Sequence, residues 1–157
     1  GLYAAISVIG RIVYFGTLPL TVLVVPIIAR QQAPGKSTRN LFFLLMGSGI
    51  VLCGGLVVAS VLFAPLIVEL LYGSAYVDAA YLLPMYTVAA ALFVLTNLLV
   101  TYRVALGKGG ETWMPLLAAI AQIIGVMIFH DSLMTIIIVQ ISIMSVLFAG
   151  VAWRART

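Results

Sequence analysis

The chain has 157 residues, of which 64% are apolar and only 8% charged, and its mean hydropathy is +1.27. A soluble domain carries about 25% charged residues, and a chain folded in water needs a polar exterior that this composition does not supply, so a water-soluble globular domain is excluded. The formal net charge of +4 raises nucleic acid as a partner, but the basic residues form no patch or stripe, no nucleic-acid module is present, and none is expected to bind. The expectation is an all-α, multi-pass transmembrane helical bundle of about five spans, each roughly 20 mostly apolar residues, forming a single domain over 1–157.

The first predicted span covers roughly 3–29 and is interrupted by Arg11, Pro19 and Pro26. The chain opens mid-pattern at Gly1-Leu2-Tyr3, with no Met start, basic n-region or small-residue cleavage site, so it is expected to be a piece of a longer protein. A basic loop, 30–40, carries Arg30, Lys36 and Arg39. The second span, roughly 41–70, meets no charge until Glu69, and Gly47, Gly49, Gly54 and Gly55 make it slim enough for close helix approach. Its Cys53 is expected to be a small packing residue, and a lone cysteine allows no disulfide within the chain. After a turn with Gly73 and Asp78 comes the third span, roughly 80–105, ending at Arg103. A Gly-rich turn with Lys108 leads to the fourth span, roughly 113–129, and His130-Asp131-Ser132 leads to the fifth, roughly 133–153, which Asp131 or Ser132 is placed to cap. Membrane strands are excluded because the runs are too long and do not alternate.

Loop charges orient the bundle. The loops bearing Arg30, Lys36 and Arg39, then Arg103 and Lys108, then Arg154 and Arg156 are predicted to be cytoplasmic; those with Asp78, and with His130 and Asp131, to face outward. This alternation puts the N-terminus outside and the C-terminus in the cytoplasm. Tyr72, Tyr76, Tyr81, Trp113 and Trp153 fall near predicted span ends, where amphipathic rings settle.

Certain residues recur in a known order. Gly1-Leu2-Tyr3-Ala4-Ala5 begins a helix that closes with Pro26-Ile27-Ile28-Ala29-Arg30; one helix later comes Leu70-Leu71-Tyr72-Gly73-Ser74-Ala75-Tyr76, then Ala79-Ala80-Tyr81-Leu82-Leu83-Pro84. This order resembles the polysaccharide flippases of the multidrug/oligosaccharidyl-lipid/polysaccharide exporter superfamily over roughly residues 1–110; the last two spans resemble it only in hydropathy. The resemblance implies the C-terminal lobe of a two-lobed flippase fold, from that lobe's second helix onward. It implies alternating-access flipping of a lipid-linked oligosaccharide across a bacterial inner membrane, in polysaccharide, lipopolysaccharide or O-antigen biosynthesis. The implied partners are that substrate, membrane lipid, and a missing N-terminal bundle of the same protein.

Arg11 is the most informative residue. It sits about 12 Å below the outer end of its span at 1.5 Å per residue, where an arginine costs about 2.5–3.5 kcal/mol to insert. Tyr3, Ser7, Tyr14 and Thr21 share its face, with Leu18 interrupting. A polar stripe around a deep arginine points to a wet cavity, and guanidinium grips phosphate bidentately, which fits a phosphate-bearing lipid carrier. By resemblance, Arg11 is the counterpart of a cavity arginine in lipid II flippases. The competing reading is a structural arginine paired with an acid elsewhere. A second stripe carries Tyr86, Asn97 and Thr101; Asn97 either lines the cavity or makes an interhelical hydrogen bond, of about 0.6 kcal/mol in membrane bundles. The expected substrate-binding residues are therefore Arg11, Ser7, Tyr14 and Asn97. Gln122 and Gln140 are expected to serve packing, and Arg103 and Lys108 to anchor the cytoplasmic side.

There is no paired carboxylate, Cys/His metal spacing, phosphate-loop glycine pattern or Ser/His/Asp set, so neither an enzyme nor a metal or cofactor is expected. Prolines 19, 26, 65 and 84 lie in or at the ends of spans, where transporters tolerate broken helices beside cavities. Two alternatives stand beside the flippase: a cation-coupled multidrug exporter of the same superfamily, and a truncated, non-transporting packing partner.

Overall fold

The computed structural model describes residues 39–107, 110, 113–129 and 131–156, together with Val22. The predicted first span otherwise lies outside the described residues. The other four predicted segments are all helices: α1 (Arg39–Tyr72), α2 (Leu82–Ala105), α3 (Trp113–Ile128) and α4 (Leu133–Arg156), with a 3₁₀ helix at Ser74–Ala79 between α1 and α2. Among the described residues there is no strand.

Three of these helices are long and apolar enough to cross a membrane: Asn40–Leu71 within α1, Leu82–Ala105, and Leu133–Arg154 within α4. Helix α3 has 16 residues, about 24 Å of helix, against a hydrocarbon layer about 30 Å thick. The 34 residues of α1 overshoot that thickness, and the helix breaks near its end. Phe63 leaves helical geometry (φ −122°, ψ 19°) two residues before Pro65. The pyrrolidine ring lacks an N–H and collides with the carbonyl one turn earlier, so the turn before a proline must open. The piece beyond the kink carries buried Ala64 and Val68, which pack with Ala80 and Leu83.

The buried clusters fix the topology. Leu41, Leu45 and Met46 at the start of α1 meet Leu98, Leu99 and Tyr102 at the end of α2, Ala118 in the first half of α3, and Met144, Leu147 and Val151 late in α4. At the other end Leu82 packs on Ile137. Helices α1 and α2 therefore run antiparallel, α3 and α4 antiparallel, and α2 and α4 parallel. Helix α2 is central, touching α1 on one side and α4 on the other, while α3 packs on α4.

Hydroxyls inside the helices bond to their own helix. Ser60 Oγ donates to the Val57 carbonyl (2.7 Å), Thr87 Oγ1 to Leu83 (2.8 Å) and Thr96 Oγ1 to Leu92 (2.7 Å). Such back-bonding satisfies a hydroxyl where no water reaches. Ser132 caps α4: its Oγ accepts the backbone N–H of Thr135 at 3.2 Å, one of the two caps the sequence offered. Of the four glycines expected to slim α1, Gly49 alone sits in close approach: a Cβ there would stand 3.0 Å from Leu98 Cδ2, whereas nothing lies within 4 Å of one at Gly47, Gly54 or Gly55. Cys53 is buried, with Ala91 and Val94 of α2.

Candidate functional site

Among the described residues, charges sort to opposite ends of the bundle. Arg39 begins α1, Arg103 ends α2, and Arg154 and Arg156 end α4, so every described arginine lies at one end. The described acids, Glu69, Asp78 and Asp131, lie at the other. Helix dipoles do not explain this. They favour acids at helix N-termini and cations at C-termini, by about 0.3–1 kcal/mol at exposed positions, yet Arg39 starts α1 and Glu69 stands near its end. The sign follows the end of the bundle instead, as loop charges in membranes do. Aromatic rings ring both ends: Trp113 and Trp153 are exposed at the arginine end and Tyr81 at the acidic end.

The arginine end is tied together by side chains far apart in sequence. Arg103 Nη1 donates to the backbone carbonyl of Arg154 at 2.7 Å, joining the end of α2 to the end of α4 and serving a carbonyl in α4's last turn. The Arg154 guanidinium lies over the Trp113 ring, 5.9 Å from its centroid, a cation–π contact from α4 to α3. Arg103 thus ties two helices together, a role distinct from the cytoplasmic-side anchoring expected of it. Arg103→Gln is expected to lower stability by about 0.5–1.5 kcal/mol, read as a lower unfolding midpoint in detergent; an unchanged midpoint would contradict the tie.

Among the predicted cavity residues, Arg11, Ser7 and Tyr14 lie outside the described residues. Asn97 is half-buried on α2, and its amide makes no hydrogen bond to α1 or α4 among the described residues. Of its stripe, Tyr86 packs with Leu82 of α2 and Ile137 of α4, Ala90 is buried, and Thr101 is half-buried like Asn97. Phe93 on this face is 41% exposed. Gln140 on α4 is half-buried, and its Oε1 is shut away without a hydrogen-bond partner. Among the described residues no three His, Cys, Asp or Glu side chains come together as a metal-ligand set.

Two features escaped the sequence reading. At Gly125 a Cβ would stand 2.7 Å from Val139 Cγ1, so α3 and α4 meet almost backbone to side chain there. Ala121-x-x-x-Gly125, small residues four apart, is the signal that finds this contact. Toward the arginine end the same two helices leave an apolar groove of about 440 Å³, its lining including Trp113, Ala118 and Ala121 from α3 and Ser142, Val146 and Gly150 from α4.

Comparison with protein-family models, with curated proteins and with solved structures finds no match to this chain.

Proposed function

We propose that the chain is the C-terminal part of a flippase that moves a lipid-linked saccharide across a bacterial inner membrane by alternating access. On this reading it supplies five spans, with the arginine end cytoplasmic and the N-terminus outside. The observation that carries it is the order of the motif residues, above all the Tyr-Gly-x-x-Tyr corner after α1. The corner has physical reasons for its residues. Gly73 has φ +87°, a conformation in which a Cβ is strained, and its N–H caps the Glu69 carbonyl at 2.8 Å. Tyr76 packs, half-buried, on the cluster of Ala64, Val68, Ala80 and Leu83.

The substrate face consists of the Arg11 stripe on the first span and the Asn97 face on α2. The half-burial of Asn97, with no hydrogen bond from its amide to α1 or α4 among the described residues, supports this assignment. Arg11 holds the carrier's phosphate while the lobes rock, and Ser7, Tyr14 and Asn97 offer hydrogen bonds to the saccharide. The test is translocation of lipid-linked saccharide in a strain lacking its native flippase, using the reading frame that carries this sequence. Restored translocation supports the proposal; a correctly inserted protein that restores none, with any carrier-linked saccharide supplied, overturns it.

A further inference from the structure

We propose that the groove between α3 and α4 binds one acyl chain of an anionic phospholipid, with the lipid phosphate against the guanidinium of Arg154. The proposal requires that the chain lie in a bilayer, not that it translocate anything, so it stands apart from the flippase reading.

The lining decides what enters. Small residues make the space: Ala118 and Ala121 on α3, Gly150 on α4. A Cβ at Gly150 would meet only Met114 Cε, at 4.0 Å. The one hydroxyl in the wall, Ser142 Oγ, already donates to its own helix at the Ile138 carbonyl, 2.8 Å away. The only other side-chain polar group in the wall is the Trp113 indole N–H, at the arginine end, so along most of its length the groove offers a polar ligand no partner and a hydrocarbon chain loses nothing there. The volume, about 440 Å³, falls in the about 300–1,000 Å³ range of ligand sites. The groove covers about two turns of each helix, since Trp113–Ala121 and Ser142–Gly150 each advance about 12 Å.

One end of the groove is charged. Arg154 lies one turn beyond Gly150 on α4, so the two share a face, and its guanidinium sits over Trp113, which is itself in the wall. Arg103 is bonded to the Arg154 carbonyl, which brings a second cation to the same corner. In sequence, the segments that meet this end carry Arg39, Arg103, Lys108, Arg154 and Arg156 against the single acid Glu111, a net positive balance. An apolar slot that ends at two cations and an interfacial tryptophan is complementary to an anionic amphiphile, tail inward and phosphate at the mouth. A zwitterionic lipid would gain the slot but less from the cations.

The chain has two tryptophans, so Trp153→Phe leaves Trp113 as the sole indole reporter. The full chain in detergent is titrated with phosphatidylglycerol and with phosphatidylcholine, each bearing brominated acyl chains that quench a neighbouring indole. Saturable quenching is expected at several-fold lower concentration of phosphatidylglycerol than of phosphatidylcholine. Arg154→Gln should weaken the phosphatidylglycerol titration about fivefold, the effect of about one basic residue at a membrane surface. Gly150→Leu, and independently Ala121→Leu, should remove the saturable quenching while far-UV dichroism stays helical. Equal titrations by the two lipids would overturn the proposal. So would saturable quenching that survives both groove-filling variants, or a groove closed by a second copy, seen as cross-linking between copies through Gly150→Cys that lipid does not displace.

Discussion

Arg11→Ala is expected to abolish translocation of lipid-linked saccharide while leaving the amount of protein in the membrane unchanged or higher. The second half of that expectation follows from insertion energetics: on the proposed placement of Arg11 within the bilayer, removing its guanidinium removes a cost of about 2.5–3.5 kcal/mol, so failed insertion would not account for lost transport. The first half follows from chemistry. A phosphate drawn into a low-dielectric cavity needs a charge-assisted partner, and no second basic residue lies within the first predicted span, 3–29. Arg11→Lys keeps the charge and loses the planar fork, so partial transport is expected from it. Were Arg11→Ala to transport normally, the phosphate role would be wrong. Were it to lower protein level and transport together, the arginine would be structural, paired with an acid elsewhere.

The glycines give a graded second result. Gly125→Ala is expected to destabilise by about 1–3 kcal/mol, the usual effect of overpacking, because the new methyl falls 2.7 Å from Val139 Cγ1 and a β-branched side chain on a helix has little freedom to turn away. Gly49→Ala should cost less: the nearest atoms, 3.0 and 3.3 Å away, are the tips of Leu98 and Leu95, which can rotate. Gly54→Ala and Gly55→Ala meet nothing within 4 Å and should be neutral or stabilising by up to about 1 kcal/mol through helix propensity. Unfolding midpoints of the purified variants in detergent rank them; a Gly125→Ala midpoint equal to that of Gly54→Ala would contradict the α3–α4 contact.

Helix positions were legible because a bilayer imposes one rule, that apolar runs become helices. The predicted segment 41–70 became Arg39–Tyr72, and 133–153 became Leu133–Arg156. The expected start at 80 moved to Leu82 because a 3₁₀ turn after Gly73 takes up Ser74–Ala79. Contacts between helices were much less legible. Four glycines in α1 are equivalent on paper, and only the packing of α2 distinguishes Gly49. The tie from Arg103 to the Arg154 carbonyl spans 51 positions in sequence, and no local pattern announces it. Ser132 was legible as a cap because capping is local. Asn97 could be placed on a face of α2, but what packs against that face is a property of the assembled helices.

The proposed five-span arrangement has α3 cross the membrane, with 16 residues against the roughly 20 a span needs. Tilt, local thinning of the bilayer and the interfacial Trp113 are the means by which a short helix crosses. The decisive measurement is labelling of single cysteines in intact cells with a membrane-impermeant thiol reagent, in a background with buried Cys53 replaced by alanine. Asn40→Cys and Gly110→Cys, at the arginine end, are predicted to stay unlabelled until the membrane is opened; Ser74→Cys and Ser132→Cys, at the acidic end, are predicted to label at once. Labelling of Gly110→Cys and Ser132→Cys from the same side would show that α3 does not cross, and labelling of the arginine end from outside would reverse the bundle; either result would contradict the account.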